Sequence, residues 1–235
     1  MGKIKFVAGL IDMLPKKMGD NLTEKLIYGY IDKFAHIHVE GYENIQELEG
    51  PCIFVCNHLS NADGIILNRV LKQFDPTFVA GIKLGGEAVT KLGLRVTRTI
   101  PIKPNSADKE ALTKVIKTLK AGNNIMIFPE GTRSRSKSMI EAKKGILLIA
   151  RMSKAKIIPL GMWGTEELLP INKDGDMGKE TFHEAEVKIN IGKPIENMPK
   201  KDKDEDKHQY EERCLKYLMK HVAELIPESY RGVYK

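Results

Sequence analysis

With 235 residues, 42% of them hydrophobic and 29% charged, the chain can bury a full core and reads as one globular domain with additions at its ends. A formal net charge of +7 favours anionic partners, while an aromatic share of only 6%, with no stretch interleaving arginines and rings, argues against nucleic acid held by base stacking. A phospholipid surface or a phosphate ester is the better match, and three cysteines (Cys52, Cys56 and Cys214) are too few and ill-placed for a disulfide framework.

At the N-terminus Ile4, Val7, Leu10, Ile11 and Leu14 recur at helical spacing, with Lys3, Lys5, Lys16 and Lys17 at the margins. Asp12, Lys16 and Lys17 interrupt the apolar residues, so the stretch fits neither a signal peptide nor a spanning helix. Beyond Pro15 and Gly19 a second helical pattern covers Leu22–Ile37, with Leu26, Ile27, Tyr30, Ile31 and Phe34 on one broad face. Two readings stay open for this pair: helices packed on the core, or an interfacial hairpin with its apolar face among acyl chains and its lysines at the headgroups.

After Gly41 the chain alternates. Apolar runs predict strands at Cys52–Cys56, Thr77–Ile82, Ile125–Phe128 and Ile157–Gly161, separated by helical patterns at Gly64–Gln73, Ala107–Lys120 and Ala142–Met152. Continuous apolar strands between amphipathic helices predict an α/β fold, a single domain whose central sheet is largely parallel or mixed and covered on both faces. Cys52 and Cys56 fall about 13 Å apart on one such strand, too far to bridge, and the cysteines read as reduced and buried, as in a cytoplasmic protein. Glu186–Ile191 alternates and is expected to be a late strand at a sheet edge. The stretch PIENMPKKDKDEDK, ending at Lys207, reads as a solvated linker, and Tyr210–Ile226 as a last helix stopped by Pro227. The chain thus divides into an N-terminal helix pair (1–38), a core (39–195), and a charged linker with its C-terminal helix (196–235).

In parallel sheets functional groups gather outside the carboxyl ends of the strands, and His58 and Glu130 both directly follow such ends. In CIFVCNHLSNAD (Cys52–Asp63) the strand delivers His58, and Asp63 opens the next helix across one short loop. A carboxylate hydrogen-bonded to one imidazole nitrogen leaves the other free to accept a proton, so this pairing supplies a general base without a nucleophile of its own. In IMIFPEGTRSRS (Ile125–Ser136) a turn presents Glu130, Gly131, Thr132 and Arg133. Gly131 permits close backbone approach, and the Arg133 fork suits phosphate or carboxylate; the bland alternative is that Glu130 and Arg133 pair only with each other. Arg135, Lys137, Lys143 and Lys144 add positive charge. The block from Ala80 to Pro104 carries Lys83, Lys91, Arg95, Arg98 and Lys103 among glycines and either walls a phosphate site or forms an ordinary basic surface.

His58-x4-Asp63, FPEGTRS at Phe128–Ser134 and IPL at Ile158–Leu160, in this order, resemble the glycerolipid acyltransferases of the 1-acyl-sn-glycerol-3-phosphate acyltransferase family. The likeness runs from about Gly41 to Ile195, and the N-terminal pair looks like the two-helix membrane anchor of bacterial members. The resemblance implies transfer of a fatty acyl group from acyl carrier protein or coenzyme A to the free hydroxyl of lysophosphatidic acid. It needs no further cofactor or metal, and it places the protein on the cytoplasmic face of the cell membrane, peripheral or monotopic. His58 would be the base and Asp63 its orienting acid, with the acceptor held by Glu130, Gly131, Thr132 and Arg133 and by Lys83 and Lys103 as further clamps. The family's usual I-x-R is met here only by Ile102-Lys103, which keeps the charge and loses the fork.

Rival readings are an acyl-enzyme on Ser60, which lacks a glycine-flanked elbow, and a metallohydrolase, for which His36, His38, His183, His208 and His221 form no ligand motif. Others are another lysophospholipid or glycolipid acceptor, and a non-catalytic lipid binder, which has no need of an oriented base.

Overall fold

The computed structural model describes residues 15–81, 96–103, 106, 108–174 and 177–235. The helix expected over Ile4–Leu14 and part of the basic block, including Lys83, Lys91 and Arg95, lie outside these residues. The chain runs through α1 (Lys16–Ile31), β1 (Ala35–Glu40), β2 (Cys52–Cys56), α2 (Asp63–Val70), β3 (Thr77–Gly81), β4 (Thr99–Ile102) and α3 (Lys109–Lys120). It continues through β5 (Ile125–Ile127), α4 (Gly145–Ser153), β6 (Lys156–Trp163), the single turn α5 (Thr165–Leu168), β7 (Ala185–Ile191) and α6 (Lys207–Ala223).

The strands form one sheet in the order β1-β7-β6-β2-β5-β3-β4. From β6 to β4 every neighbouring pair is parallel, whereas β7 runs antiparallel to β6 and carries β1 parallel to itself. The α/β fold with a mixed, mostly parallel sheet is therefore the one observed. β2 lies at its centre and is buried on both faces: Cys52, Phe54 and Cys56 pack with Ile31, Ile66 and Leu67, while Ile53 and Val55 pack with Val115, Ile146 and Leu218. An unbroken apolar run is what a strand covered on both sides requires.

Three expectations are corrected. The helix expected over Leu22–Ile37 ends at Ile31, and Ala35–Glu40 is strand β1, so the sheet begins inside the segment set apart as 1–38. Its AHIHVE alternation is the strand signal that the helical pattern masked. β7 is not at an edge but sits between β1 and β6. It alternates because Val187, Ile189 and Ile191 face the core while Glu186 and Lys188 are exposed, so alternation here marks one bare face. The true edges are β1 and β4, and the sequence TIPI of β4 tolerates Pro101 because an edge strand can forgo one backbone donor.

The charged linker ends sooner than expected. Asp206 caps α6 by accepting the Gln209 N–H at 2.9 Å while the Gln209 side chain accepts the Asp206 N–H at 3.0 Å. Beyond α6 the chain presses on β6 so closely that a Cβ on Gly161 would lie 2.6 Å from Ile226 and 2.7 Å from Leu225.

Candidate active site

β2 and β5 are parallel neighbours with Val55 opposite Ile127, so whatever follows their last residues shares one edge of the sheet. Asn57 pins the end of β2 to β6: its side-chain amide donates to the Met162 carbonyl at 2.7 Å and its oxygen accepts the Met162 N–H at 2.9 Å. One residue on, the His58 ring emerges at the surface, 19% exposed, and stacks on Phe128 beyond the end of β5, with centroids 4.1 Å apart and planes 15° from parallel.

His58 Nδ1 lies 2.7 Å from Asp63 Oδ2. The same oxygen accepts the N–H groups of Leu59 at 2.7 Å and Ser60 at 2.9 Å, and the Asp63 side chain is fully buried. This explains the four-residue spacing: it is the loop length that brings the first residue of α2 back beneath the histidine. Because Oδ2 accepts from three groups, Nδ1 carries the ring proton, and no described residue hydrogen-bonds Nε2. This is the geometry that an oriented general base requires, with Nε2 as the nitrogen left to accept a proton.

The FPEGTRS turn holds this loop from both sides. Glu130, 1% exposed, accepts the His58 N–H at 2.9 Å on one oxygen and the Ile140 N–H at 2.9 Å on the other, while the Ser134 N–H donates to the His58 carbonyl at 2.8 Å. Burial drives the Glu130 carboxyl up to about 7 from an ordinary 4.5, against the two N–H donors that favour its ionised form. The structure thus places Glu130 under the loop as a strut rather than at the opening. Gly131 takes a φ of +72° and its N–H closes on the Phe128 carbonyl at 3.0 Å, a left-handed turn that leaves Gly131 and Thr132 exposed.

Arg133 does not pair with Glu130. Its Nη1 donates to Glu180 at 2.7 Å, with 15% of the arginine side chain and 1% of the glutamate's exposed. The second oxygen of Glu180 accepts from the Asn61 amide at 2.7 Å. His58, Asp63, Glu130 and Arg133 are therefore brought together. Lys103 is not: it is exposed at the end of β4, three strands from β2, or about 14 Å by strand spacing. Arg98 pairs with Asp75, and Lys83 lies outside the described residues.

Ser60 is buried and donates its hydroxyl to the Leu169 carbonyl at 2.8 Å, so that oxygen is built into the loop rather than poised as a nucleophile. Cys56 is buried in β2, and burial, reinforced by Asp63 and Glu130, pushes its thiol well above the ordinary range. Asn57, Asn61, Phe128 and Glu180 escaped the sequence reading. Asn57 and Asn61 flank the histidine, and Phe128 ends the β5 run, but Glu180 sits in a loop far along the chain with no local signal.

The Acyltransferase family model matches residues 36–163. A chloroplastic 1-acyl-sn-glycerol-3-phosphate acyltransferase of Arabidopsis thaliana is 29% identical over 69% of this chain, and the match covers 44% of that relative; the chain spans under half the length of this and the similar Brassica napus protein. A probable 1-acyl-sn-glycerol-3-phosphate acyltransferase of Mycoplasma genitalium is 30% identical over 82% of this chain and 77% of its own length. Among solved structures, the 1-acyl-sn-glycerophosphate acyltransferase PlsC of Thermotoga maritima superposes with a TM-score of 0.63 at 26% identity, covering 94% of this chain and 87% of that one.

Proposed function

Since the chain belongs to the Acyltransferase family, we propose that it moves a fatty acyl group from a thioester to the sn-2 hydroxyl of 1-acyl-sn-glycerol-3-phosphate, giving phosphatidic acid. The observation that carries this reading is the 2.7 Å contact of His58 Nδ1 with a fully buried Asp63, beside an arginine on the next strand's turn. A pure lipid binder has no use for an imidazole held in one tautomer.

An alcohol is a poor nucleophile until its proton is removed. The acceptor hydroxyl gives its proton to His58 Nε2 as its oxygen attacks the thioester carbonyl, and buried Asp63 stabilises the imidazolium that results. The tetrahedral oxyanion then collapses, the carbon–sulfur bond breaks, and the departing thiolate takes the proton back from His58. For the oxyanion, the N–H groups of Leu59 and Ser60 are committed to Asp63 and that of Gly131 to Phe128. The N–H groups of Thr132 and Arg133, unpaired among the described residues, are the donors this reading assigns. Arg133 binds the acceptor phosphate with the part of its fork that Glu180 leaves free.

The same reading seats the protein on the cytoplasmic face of the cell membrane. No described helix is long and apolar enough to cross a bilayer. Yet α1 exposes Met18, Leu22, Leu26 and Tyr30, four residues apart along one side, which suits burial at the headgroup level. The test is an assay of purified protein crossing 1-acyl-sn-glycerol-3-phosphate and other lysolipids with both acyl carrier protein and coenzyme A thioesters. Turnover confined to acceptors with a phosphomonoester is expected, and turnover indifferent to that group would overturn the acceptor assignment.

A further inference from the structure

Glu180 belongs to none of the motifs, yet it joins the two halves of the site. It follows a single 3-10 turn, Met177–Lys179, in the segment between α5 and β7. Neighbouring contacts hold this segment in place: Phe182 meets Tyr30 edge-on at 5.4 Å, and the His183 N–H donates to Leu168 at 2.8 Å. One Glu180 oxygen then takes Arg133 Nη1 and the other takes the amide of Asn61, which lies inside the His58–Asp63 loop.

We propose that Glu180 is a positioning residue that acts as a ruler between the acceptor's phosphate and the catalytic base; the inference rests on the reading of Arg133 as the phosphate ligand. A guanidinium carries five N–H donors in a planar fork, and a carboxylate on Nη1 fixes the plane while leaving the other donors for an anion. Displacement of Glu180 by the phosphate is disfavoured, because it would strand a carboxylate 1% exposed without its cation. The phosphate therefore binds beside Glu180 rather than in its place. The Ser134 and Glu130 hydrogen bonds already tie the backbone of the Arg133 turn to the His58 loop, and the Glu180 bridge to Asn61 adds the placement of the guanidinium itself. That placement decides which hydroxyl of a glycerol phosphate reaches Nε2.

The test compares acceptor and donor kinetics in Glu180→Ala, Glu180→Gln, Asn61→Ala and Arg133→Ala, with circular dichroism and thermal unfolding to establish that each variant folds. Glu180→Ala is expected to raise the acceptor KM by about tenfold or more while kcat changes less than about threefold and the donor KM stays put. Glu180→Gln, which still accepts from Arg133, recovers most of the loss. Asn61→Ala, which keeps the ion pair, raises the acceptor KM by about threefold. Adding Glu180→Ala to Arg133→Ala should give no further rise, since both act on one contact. A fall in acceptor KM for Glu180→Ala would make the residue a competitor of the phosphate and overturn the proposal. Equal effects on kcat and both KM values, or multiplying effects in the double variant, would reduce it to a general structural role. If Arg133→Ala alone leaves the acceptor KM unchanged, the phosphate role of Arg133 falls and the ruler falls with it; a raised KM there with Glu180→Ala silent removes the ruler only.

Discussion

A histidine serves as a base only when its proton is on the right nitrogen, and Asp63 settles that by accepting from Nδ1 at 2.7 Å. Asp63→Asn keeps the shape but offers an amide in place of the acceptor. Its turnover should fall by about 10² to 10⁴-fold with acceptor KM little changed; a KM-only effect in steady-state kinetics would contradict that role. Glu130 makes a different prediction. Its carboxyl stands near 7 in the fold against an ordinary 4.5, so the folded state holds this proton more tightly than the unfolded chain. Its contribution favours folding at acid pH and is lost as pH rises through that window, by about 3 kcal/mol at most. Denaturant unfolding from about pH 5 to pH 8 should therefore show wild-type stability declining relative to Glu130→Gln; parallel profiles would contradict the buried-strut reading.

At the scale of elements, the parts that were legible in sequence are those whose environment is uniform. β2, β5 and β6 read as strands because both faces are buried, and α3 and α4 because their apolar faces recur at helical spacing. β1 was hidden because its short alternation follows a helix of the same apolar character, and β4 because it is four residues long and contains Pro101. The His58–Asp63 and FPEGTRS stretches were legible because each lies on one strand end. Their cross-strand stitching, Glu130 to the His58 N–H and Ser134 to the His58 carbonyl, was not, since it depends on which strands become neighbours.

The C-terminal tail was equally invisible. The Met139 N–H donates to the Tyr230 carbonyl at 2.8 Å, and the Ala142 N–H donates to the Tyr234 hydroxyl at 2.9 Å, so the tail braces the loop whose Ile140 N–H holds Glu130. Tyr234→Phe leaves a buried N–H unpaired and should cost about 1–3 kcal/mol, several degrees in Tm by calorimetry; an unchanged Tm would show the brace to be slack. For α1, replacing Leu22 and Leu26 with glutamate should release the protein from anionic vesicles in a sedimentation assay while leaving its fold intact. Undiminished vesicle binding would assign the membrane contact to another surface.

The whole molecule combines a net charge of +7 with that apolar stripe, so on the proposed membrane seat attraction to an anionic bilayer and insertion of side chains at its surface would reinforce each other. Vesicle binding should weaken as salt rises from about 0.05 to 0.5 M, where the Debye length shrinks from above 10 Å to a few ångströms, and salt-independent binding would leave the apolar stripe as the whole of the attraction. On the proposed reading, the sheet's carboxyl edge presents an oriented imidazole and a guanidinium, linked through Glu180 and Asn61, to a lipid carrying both a hydroxyl and a phosphate. The most direct measurement is turnover of purified His58→Ala, with its fold verified, in acyl transfer from a thioester to 1-acyl-sn-glycerol-3-phosphate on vesicles. The predicted result is a loss of about 10² to 10⁴-fold with vesicle binding retained; turnover equal to that of the wild type would contradict the assignment of His58 as the base.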